Sequence, residues 1–396
     1  MNDWAELERR HYMNVAKRLP VVLVRGEGPY VYDEEGRRYL DMVAGIAVVS
    51  LGHCHPAIVQ ALAEQAGRLM HVSNLFYTVP QLQLAELLCQ LSGLDRVFFC
   101  NSGAEAVEGC IKLARKWGKE RRDGAYEIIV AENAFHGRTL ATVTASGAER
   151  YRAPFEPLPP GFVRVPFGDI EAIRQATSQR TAAVLLEPIQ GEGGVYVPPE
   201  DYLRQVRAWC DEAGILFMLD EVQTGLGRCG AMFAFQLYDA PPDVMALAKG
   251  LGGGFPIGAF LAREECSVFV PGDHGSTFGG NPLACAVAHR VLRFMVEEDI
   301  PGQVEAKGRY LEERLRGLAD RHPIVREVRG RGLLWALELS RDAAEEAVHL
   351  ALRAGLLVNN VRPNAIRLMP PLTIEREQLE EAVALLDDVL SHLDGA

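Results

Sequence analysis

The feature that most constrains the fold is an alternation of helical patterns and short apolar runs between about residue 80 and residue 290. Several of the apolar runs are continuous rather than alternating, which is typical of strands buried on both faces. This order of strands and helices predicts a mostly parallel sheet covered by helices, an α/β fold. The predicted strands are 96–100, 127–131, 182–187, 215–219, 244–248 and 259–262.

The two ends of the chain have a mixed pattern in which strands and helices no longer alternate regularly. We therefore predict two domains: a large α/β domain over residues 56–289, and a smaller α+β domain from residues 1–55 and 290–396 that includes an N-terminal arm. The predicted elements of the smaller domain are the strands 21–28, 30–40, 333–339, 356–361 and 365–369 and the helices 341–354 and 374–393.

The net charge, the N-terminal residues and the cysteines indicate which partners and which cellular location to expect. Lysine and arginine number 41 against 53 aspartate and glutamate, a net charge of −12, which argues against nucleic acid or an anionic membrane as a partner. Residues 1–18 lack the apolar core of a signal peptide, and no run is apolar enough to span a bilayer. The eight cysteines contain no Cys-x-x-Cys pair. We expect a cytoplasmic protein with reduced cysteines.

Two polar residues follow apolar runs at the predicted carboxyl edge of the sheet, where ligands of such sheets collect. Asp220 ends the run 216–219, and Lys249 ends the run 244–248 ahead of a glycine-rich loop. An isolated aspartate here is most often a helix cap, and a lysine is most often a surface residue. The functional alternative is a carboxylate that pairs with a cationic ligand nitrogen, together with a desolvated lysine that forms an imine.

Two further strand ends carry candidate binding residues. The segment 101–106 begins a helix directly after a strand; it is either a simple cap or a phosphate site made of free helix amides. The segment 135–139 offers the aromatic ring of Phe135 for stacking, and Arg138 has a guanidinium that can bind a carboxylate through two hydrogen bonds.

Two patterns resemble ligand sites but are better explained as loops. The segment 225–230 matches Gly-x-Gly-x-x-Gly but follows the central strands instead of lying in a first βαβ unit, so we do not assign it to a nicotinamide cofactor. His53 and His55 are near neighbours without distant ligands, so we expect a loop that leads into a helix at Pro56 rather than a metal site. No metal site is predicted.

The motifs occur together in an order and spacing that resemble the class III, fold-type I aminotransferases over nearly the whole chain. Within that family the similarity is greatest to bacterial enzymes that act on acetylornithine. The matching motifs are NSGAEAVE (101–108), FHGRT (135–139), EPIQGEGGV (187–195), LDEVQTGLGR (219–228), AKGLGGGFPIG (248–258), HGSTFGGNPLA (274–284) and IRLMPPL (366–372).

The resemblance implies pyridoxal 5'-phosphate as the cofactor. Lys249 would hold it as a Schiff base and then shuttle a proton, while Asp220 would pair with the pyridine nitrogen and keep it protonated. Val222 and Phe135 would contact the two faces of the ring, and Gln223 would lie near the phenolic oxygen.

The same resemblance implies a phosphate site shared between two subunits. The amides of Gly103 and Ala104, with the Ser102 hydroxyl, would bind the phosphate, and Thr277 of a second subunit would complete the site. Ser276 would contact the substrate across the same interface. The implied assembly is a homodimer with shared active sites.

The implied reaction is a ping-pong transfer of the ω-amino group of N2-acetylornithine to 2-oxoglutarate, as in arginine biosynthesis. Arg138 would bind the donor's α-carboxylate, and Arg367 would bind a carboxylate of glutamate after release from Glu192. Ornithine aminotransferases carry a tyrosine at the position of Ile46, which disfavours free ornithine.

Several alternatives stay open from the sequence. Succinyl-diaminopimelate, 4-aminobutyrate and ornithine are other donors, lysine synthesis is another pathway, and an aminomutase or racemase is another reaction on this fold. The helix after residue 102 departs from the family pattern at Val107, Gly109 and Cys110. Glycine costs about 1 kcal/mol relative to alanine in a helix, so Gly109 is expected to weaken it. No consequence follows from Cys229, where threonine is common.

Overall fold

A seven-stranded sheet forms the centre of the molecule in the computed structural model, which describes residues 4–395. Six of its strands run in one direction, and Gly258–Ala262 runs antiparallel to both of its neighbours. In spatial order the strands are Arg96–Cys100, Gly258–Ala262, Val244–Leu247, Leu216–Asp220, Thr181–Leu186, Glu127–Ala131 and Phe162–Val165.

The predicted α/β fold is confirmed, and all six predicted strands of this sheet occur within one residue of the predicted limits. Every residue of Thr181–Leu186 and of Leu216–Asp220 is buried, as two-sided packing requires. The seventh strand, Phe162–Val165, escaped prediction because it is a short, half-buried edge strand that contains Arg164.

The helix Gly103–Arg121 shows why one departure from the family pattern is useful. It packs on the central sheet through Ala106, Cys110 and other buried residues. A Cβ atom on Gly109 would lie 2.2 Å from the ring of Phe260, far inside van der Waals contact. Gly109 therefore allows close packing of helix and sheet, and this packing offsets its low helix propensity.

Two four-stranded sheets lie outside the central one, formed by the two ends of the chain. Their strands are antiparallel except for Leu356–Leu357, which runs parallel to Arg38–Asp41. The first sheet consists, in spatial order, of Leu23–Glu27, Tyr30–Asp33, Arg38–Asp41 and Leu356–Leu357, and the second of Val325–Arg331, Leu334–Leu339, Ala365–Leu368 and Asn359–Arg362.

The sequence misjudged three details of these sheets. The predicted strand 30–40 is interrupted by a turn at 34–37, and the predicted strand 356–361 divides between the two sheets. The strand Val325–Arg331 was not predicted, because four of its seven residues are charged and hide the apolar pattern.

Arg228 joins the second of these sheets to the loop that follows Asp220. Its Nη1 donates to the carbonyl oxygens of Leu333 at 2.9 Å and of Pro370 at 2.6 Å, and its Nη2 is buried without a partner among residues 4–395. Burial lowers the pKa of Arg228 to about 10. The contact with Pro370 fixes the chain three residues after Arg367.

Helices pack on the central sheet and against strands of both smaller sheets. The predicted helix start at Pro56 is confirmed, with the His55 side chain as its N-cap. No helix in the described part of the chain is long and apolar enough to cross a membrane. The α-helices are Trp4–His11, Ala44–Ala47, Pro56–Ala66, Val79–Ser92, Gly103–Arg121, Leu140–Ala145, Glu149–Arg152, Ile170–Ala176, Tyr202–Ala213, Pro282–Glu297, Ile300–Arg321, Ala344–Ala354 and Arg376–Asp394, and the 3-10 helices are Ala153–Phe155, Ala234–Tyr238, Lys249–Gly252 and Glu264–Cys266.

Candidate active site

A cavity of about 370 Å³ opens at the carboxyl ends of the central strands. The sequence singles out fourteen residues as catalytic, cofactor-binding, substrate-binding or specificity-determining. Ten of them line this cavity, Arg367 contacts two of the lining residues, and three lie elsewhere. The predicted residues that line it are Ser102, Gly103, Ala104, Phe135, Arg138, Glu192, Asp220, Val222, Gln223 and Lys249.

Lys249 lies at the start of the 3-10 turn after the strand Val244–Leu247. Its φ angle of +43° is unusual for a residue with a side chain, and such strain is concentrated at functional sites. Burial lowers the pKa of the Lys249 amine, and the charge of Glu192 opposes this effect only in part. A lowered pKa increases the neutral, nucleophilic fraction of the amine.

Asp220 ends its strand with only 5% of its surface exposed. Its Oδ2 lies 2.8 Å from Nδ1 of His136, and its Oδ1 accepts from the Val222 amide at 3.1 Å. Burial lowers the pKa of His136, but the hydrogen bond to Asp220 and the negative charges of Asp220 and Glu187 together outweigh burial, so the net direction is upward. Asp220 therefore presents a carboxyl group held by two hydrogen bonds at the wall of the cavity.

The N-terminus of the helix Gly103–Arg121 lies at another wall. The Ser102 hydroxyl accepts from the Glu105 amide at 3.2 Å and so caps the helix. The amides of Gly103 and Ala104 have no acceptor within the part of the chain that the structure describes. Free amides at a helix N-terminus are the usual binding site for a phosphate.

The ring of Phe135 and the side chain of Val222 both line the cavity. A Cβ atom on Gly103 would lie 2.9 Å from Val222 Cγ1, so glycine is needed for the helix to approach this side chain. The Phe135 ring also contacts the ring of Tyr151 edge-on, with centroids 5.7 Å apart. An aromatic face and a branched aliphatic side chain are thus available to a flat ligand.

Arg367 reaches the cavity wall from the second small sheet and is completely buried. Its Nη1 donates to Glu192 Oε1 at 2.6 Å and to Gln223 Oε1 at 3.2 Å, and its Nε donates to Asn359 Oδ1 at 3.4 Å. Burial raises the pKa of Glu192, but the charges of Arg367 and Lys249 and the hydrogen bonds from Arg367 and Gln223 together outweigh burial, so the net direction is downward. The predicted Glu192–Arg367 contact is therefore present.

Arg138 lies at the rim and is exposed. Its guanidinium is 4.3 Å from the centroid of the Tyr151 ring and 5.5 Å from that of Phe135. No carboxylate lies within ion-pair distance of Arg138 between residues 4 and 395. The guanidinium is held by aromatic contacts and is free to bind an anion.

Three predicted residues lie away from this cavity. Thr277 lines a small separate pocket beside Asn74, and Ser276 Oγ accepts from Asn101 Nδ2 at 3.1 Å within the same chain. Ile46 is 42% exposed, whereas Val48 lines the cavity. The proposed roles of Thr277 and Ser276 across a subunit interface stay predictions.

His136 and Glu187 also line the cavity, and the sequence analysis gave neither a role. Glu187 accepts from the amides of Phe135 at 3.0 Å and Gly191 at 3.2 Å, and burial raises its pKa to about 7. Glu187 directly follows the strand Thr181–Leu186, so the rule that singled out Asp220 and Lys249 would also have found it, whereas His136 lies five residues after the end of Glu127–Ala131.

The two discounted patterns have structural partners of their own. His53 Nε2 lies 2.7 Å from Asp41 Oδ2. The loop 225–230 is not among the lining segments of the cavity, and its Gly227 and Gly230 have positive φ angles suited to tight turns.

The class of protein follows from comparison with known families. The model of the family described as aminotransferase class-III matches residues 12–390, so the chain belongs to the class-III aminotransferases. It is a pyridoxal-phosphate-dependent aminotransferase of fold-type I and takes an amino donor and a keto acid as substrates.

Similar proteins are found in bacteria and archaea. The acetylornithine aminotransferase of Caldanaerobacter subterraneus is 50% identical over 98% of each chain, and that of Methanocaldococcus jannaschii is 48% identical over 99% of this chain and 98% of its own. Among solved structures, the ornithine aminotransferase of Toxoplasma gondii superposes with a TM-score of 0.96 at 35% identity, covering 99% of this chain and 95% of that chain. The acetylornithine aminotransferase of Elizabethkingia anophelis has a TM-score of 0.88 at 38% identity, with 98% of both chains covered.

Proposed function

We propose that this chain transfers the ω-amino group of N2-acetylornithine to 2-oxoglutarate, giving N-acetylglutamate 5-semialdehyde and glutamate. The observation that carries this proposal is the Glu192–Arg367 ion pair at the cavity wall, 2.6 Å between Oε1 and Nη1. While Arg367 is paired with Glu192, the site suits a donor whose carboxylate lies far from the reacting amine. When Arg367 is released from Glu192, the site suits a substrate with two carboxylates. The names of the similar proteins from Caldanaerobacter and Methanocaldococcus support the same donor.

The residues of the cavity fit pyridoxal phosphate. When bound, this cofactor supplies an aldehyde carbon and a ring that withdraws electrons from the reacting carbon. The free amides of Gly103 and Ala104 would hold its phosphate, with Ser102 beside them, and Asp220 would accept from its ring nitrogen. The hydrogen bonds to His136 and from the Val222 amide hold the Asp220 carboxyl group in place for this contact.

Contacts with the ring would come from three side chains. Phe135 and Val222 would lie against its two faces, and Gln223 would contact its phenolic oxygen. Gln223 also accepts from Arg367 and donates from Nε2 to Glu192 Oε1 at 3.3 Å. It would therefore link the cofactor to the ion pair that binds substrate.

Lys249 would act twice in this scheme. Its amine would first bind the cofactor covalently, and once the donor displaces it, the free Nζ would move a proton from the donor carbon. The lowered pKa of the amine supports both roles, since only the neutral amine is a nucleophile and a base.

Two arginines would bind the carboxylates of the substrates and so determine which substrates react. Arg138 would bind the α-carboxylate of the donor at the rim, so that the far amine points towards Lys249. Glu192 would leave Arg367 when glutamate or 2-oxoglutarate binds, and Arg367 would then bind one of the two carboxylates. An isomerase would not need this exchangeable Glu192–Arg367 pair.

We also propose a homodimer in which Thr277 completes the phosphate site of the partner and Ser276 approaches its substrate. Leu75, Tyr77 and Phe278 are large apolar side chains that are 62–94% exposed near Thr277, and burial against a second copy would remove them from water. Light scattering should give twice the mass of one chain, and a monomeric mass would contradict this proposal.

The division into domains at residues 56–289 and the cytoplasmic location stay predictions. Limited proteolysis that releases a fragment near residue 56 or 290 would support the division.

The donor is tested by a half-reaction without keto acid. Purified holoenzyme is mixed separately with N-acetylornithine, ornithine and 4-aminobutyrate, and the visible absorbance of the bound cofactor is followed. We expect rapid bleaching by N-acetylornithine that 2-oxoglutarate reverses. Bleaching by only one of the other two amines, or by none, would overturn the proposed donor and leave the family assignment intact.

A further inference from the structure

Glu192 belongs to a short loop, residues 190–196, that is closed at its base. The backbone amides of Gln190 and Tyr196 donate to each other's carbonyl oxygens, at 3.0 and 3.1 Å. Val195 is completely buried and has a φ angle of +56°, which is rare for a β-branched residue. Such a backbone conformation persists only where the surrounding structure enforces it.

The loop contacts one row of residues that crosses the second small sheet. Arg329, Ala336 and Arg367 are direct partners on neighbouring strands, so their side chains project from the same face of the sheet. Arg367 contacts the Glu192 side chain. Arg329 instead contacts the loop backbone, because its Nε donates to the Gly194 carbonyl oxygen at 2.8 Å.

Arg329 is 7% exposed, and its guanidinium is fixed on several sides. Its Nη1 donates to Glu338 Oε2 at 2.5 Å and to Glu327 Oε2 at 2.8 Å. The guanidinium also lies 4.3 Å from the centroid of the Tyr196 ring. A Cβ atom on Gly194 would lie 3.3 Å from Arg329 Nη2, so the loop and the guanidinium are in close contact. Arg329 is therefore a rigid donor to the loop.

A second guanidinium makes a contact of the same kind beside Arg329. Arg362 Nε donates to the Gly193 carbonyl oxygen. Arg329 is the more deeply buried of the two. Neither contact involves the Glu192 side chain, so both hydrogen bonds to the loop backbone can remain when Glu192 leaves Arg367.

We propose that Arg329 is a positioning residue that keeps the loop backbone fixed while the Glu192 side chain leaves Arg367 and returns. The inference rests on the proposed function, because it concerns the exchange that admits glutamate or 2-oxoglutarate. With the backbone bonded at Gly194, the exchange is a rotation of one side chain. Glu192 then returns to the same place on Arg367 each time the substrate leaves.

The test compares two amino donors in Arg329→Lys. Lysine keeps a positive charge beside Glu338 but lacks the Nε that binds the Gly194 carbonyl, so the ion pair is preserved and the anchor is lost. Glu192 is then placed less accurately on Arg367. The ratio of kcat/KM for glutamate to that for N-acetylornithine should rise roughly 2- to 4-fold, and hydrogen exchange of the loop amides 190–196 should become roughly 3-fold faster.

A double-mutant cycle separates this positioning role from a general structural effect. Glu192→Ala has no carboxylate to position, so the addition of Arg329→Lys should change its donor ratio by less than about 1.5-fold. A purely structural role would change the ratio equally in both backgrounds, or not at all.

Arg326→Lys is the matched control. Arg326 lies on the same strand as Arg329 and also pairs with Glu338, at 3.3 Å, but within the described residues it makes no hydrogen bond to the loop. Its donor ratio and its loop exchange should match wild type. The visible absorbance of the bound cofactor and the circular dichroism of each variant verify that the site and the fold are intact.

The proposal is overturned by a wild-type donor ratio or wild-type loop exchange in Arg329→Lys, or by a shift of the same size in the Glu192→Ala background. Failure of the proposed function differs from this. If Glu192→Ala alone leaves the donor ratio unchanged, the exchange with Arg367 is refuted and the role of Arg329 with it. If another ω-amine replaces N-acetylornithine in the half-reaction, the same ratio is measured with that amine.

Discussion

The two ends of the active-site cavity are built in different ways. Around Lys249 and Asp220, which we call the Lys249 end, the side chains come from loops at the edge of one sheet. Around Glu192 and Arg367, the Arg367 end, a loop of the central sheet meets a strand of a separate sheet 175 residues away in sequence. The Lys249 end is therefore positioned by one sheet, whereas the Arg367 end is positioned by contact between two sheets.

The difference matches the chemistry that we propose for each end. The Lys249 end must hold one ligand in one place, and buried parallel strands provide the necessary rigidity. In the proposed mechanism the Arg367 end serves two substrates in turn, and its guanidinium has a carboxylate partner, Glu192, that a substrate would replace. Fixed geometry therefore belongs to the cofactor, and exchangeable contacts belong to the substrates.

The largest expected effect is at the Lys249 end. Lys249→Ala removes the amine that we propose binds the cofactor covalently and moves the proton, so both half-reactions should slow by roughly 10³-fold or more. The phosphate amides of Gly103 and Ala104 are untouched, and the variant should still retain cofactor after gel filtration. Activity within 10-fold of wild type, by the wild-type assay with N-acetylornithine and 2-oxoglutarate, would refute the role of Lys249.

A change at the Arg367 end should separate the two substrates. Arg367→Gln removes the guanidinium proposed to bind 2-oxoglutarate, and the loss of a charge-assisted hydrogen bond corresponds to roughly 10- to 100-fold in the second half-reaction. The first half-reaction, with N-acetylornithine, should be much less affected. Stopped-flow absorbance measures both, and equal losses would show that the two ends do not act separately.

Removing Glu192, the carboxylate partner of Arg367, should favour the substrates that Arg367 binds. Glu192→Ala leaves Arg367 available at all times, so α-amino donors such as glutamate should improve relative to ω-amino donors by roughly 5-fold, or about 1 kcal/mol. Glu171→Ala, a change at an exposed surface ion pair, is the control. An unchanged ratio of kcat/KM values for the two donor types would sink the exchange mechanism.

The smallest effect concerns the contact that positions the Arg367 end. Arg228→Gln replaces the bonds to the Leu333 and Pro370 carbonyls, and the chain after Arg367 should become less well fixed. We expect KM for 2-oxoglutarate to rise about 3-fold and the free energy of unfolding to fall by about 1–2 kcal/mol. A loss confined to the N-acetylornithine half-reaction would contradict this positioning role.

The sequence predicted the Lys249 end largely from local patterns. A polar residue directly after a continuously apolar run singles out Asp220 and Lys249, and the same rule includes Glu187, which was overlooked. Local patterns succeed here because the parallel sheet brings all of its strand ends to one edge. The limits of these strands were accurate to one residue.

The Arg367 end could not be predicted in that way. Arg367 lies on a strand of the C-terminal sheet, and no spacing in the sequence indicates that its side chain reaches Glu192. Only the family resemblance suggested the pair. Likewise, Gly109 was expected to weaken its helix, and only the position of Phe260 explains why glycine is needed there.

The covalent attachment of the cofactor is the central claim, and borohydride reduction tests it most directly. Holoenzyme is reduced, digested and analysed by mass spectrometry for a lysine that carries the cofactor. We predict a single modified peptide with the label on Lys249, and no such label in Lys249→Ala. A label on another lysine, or none in protein that retains the cofactor, would contradict the account.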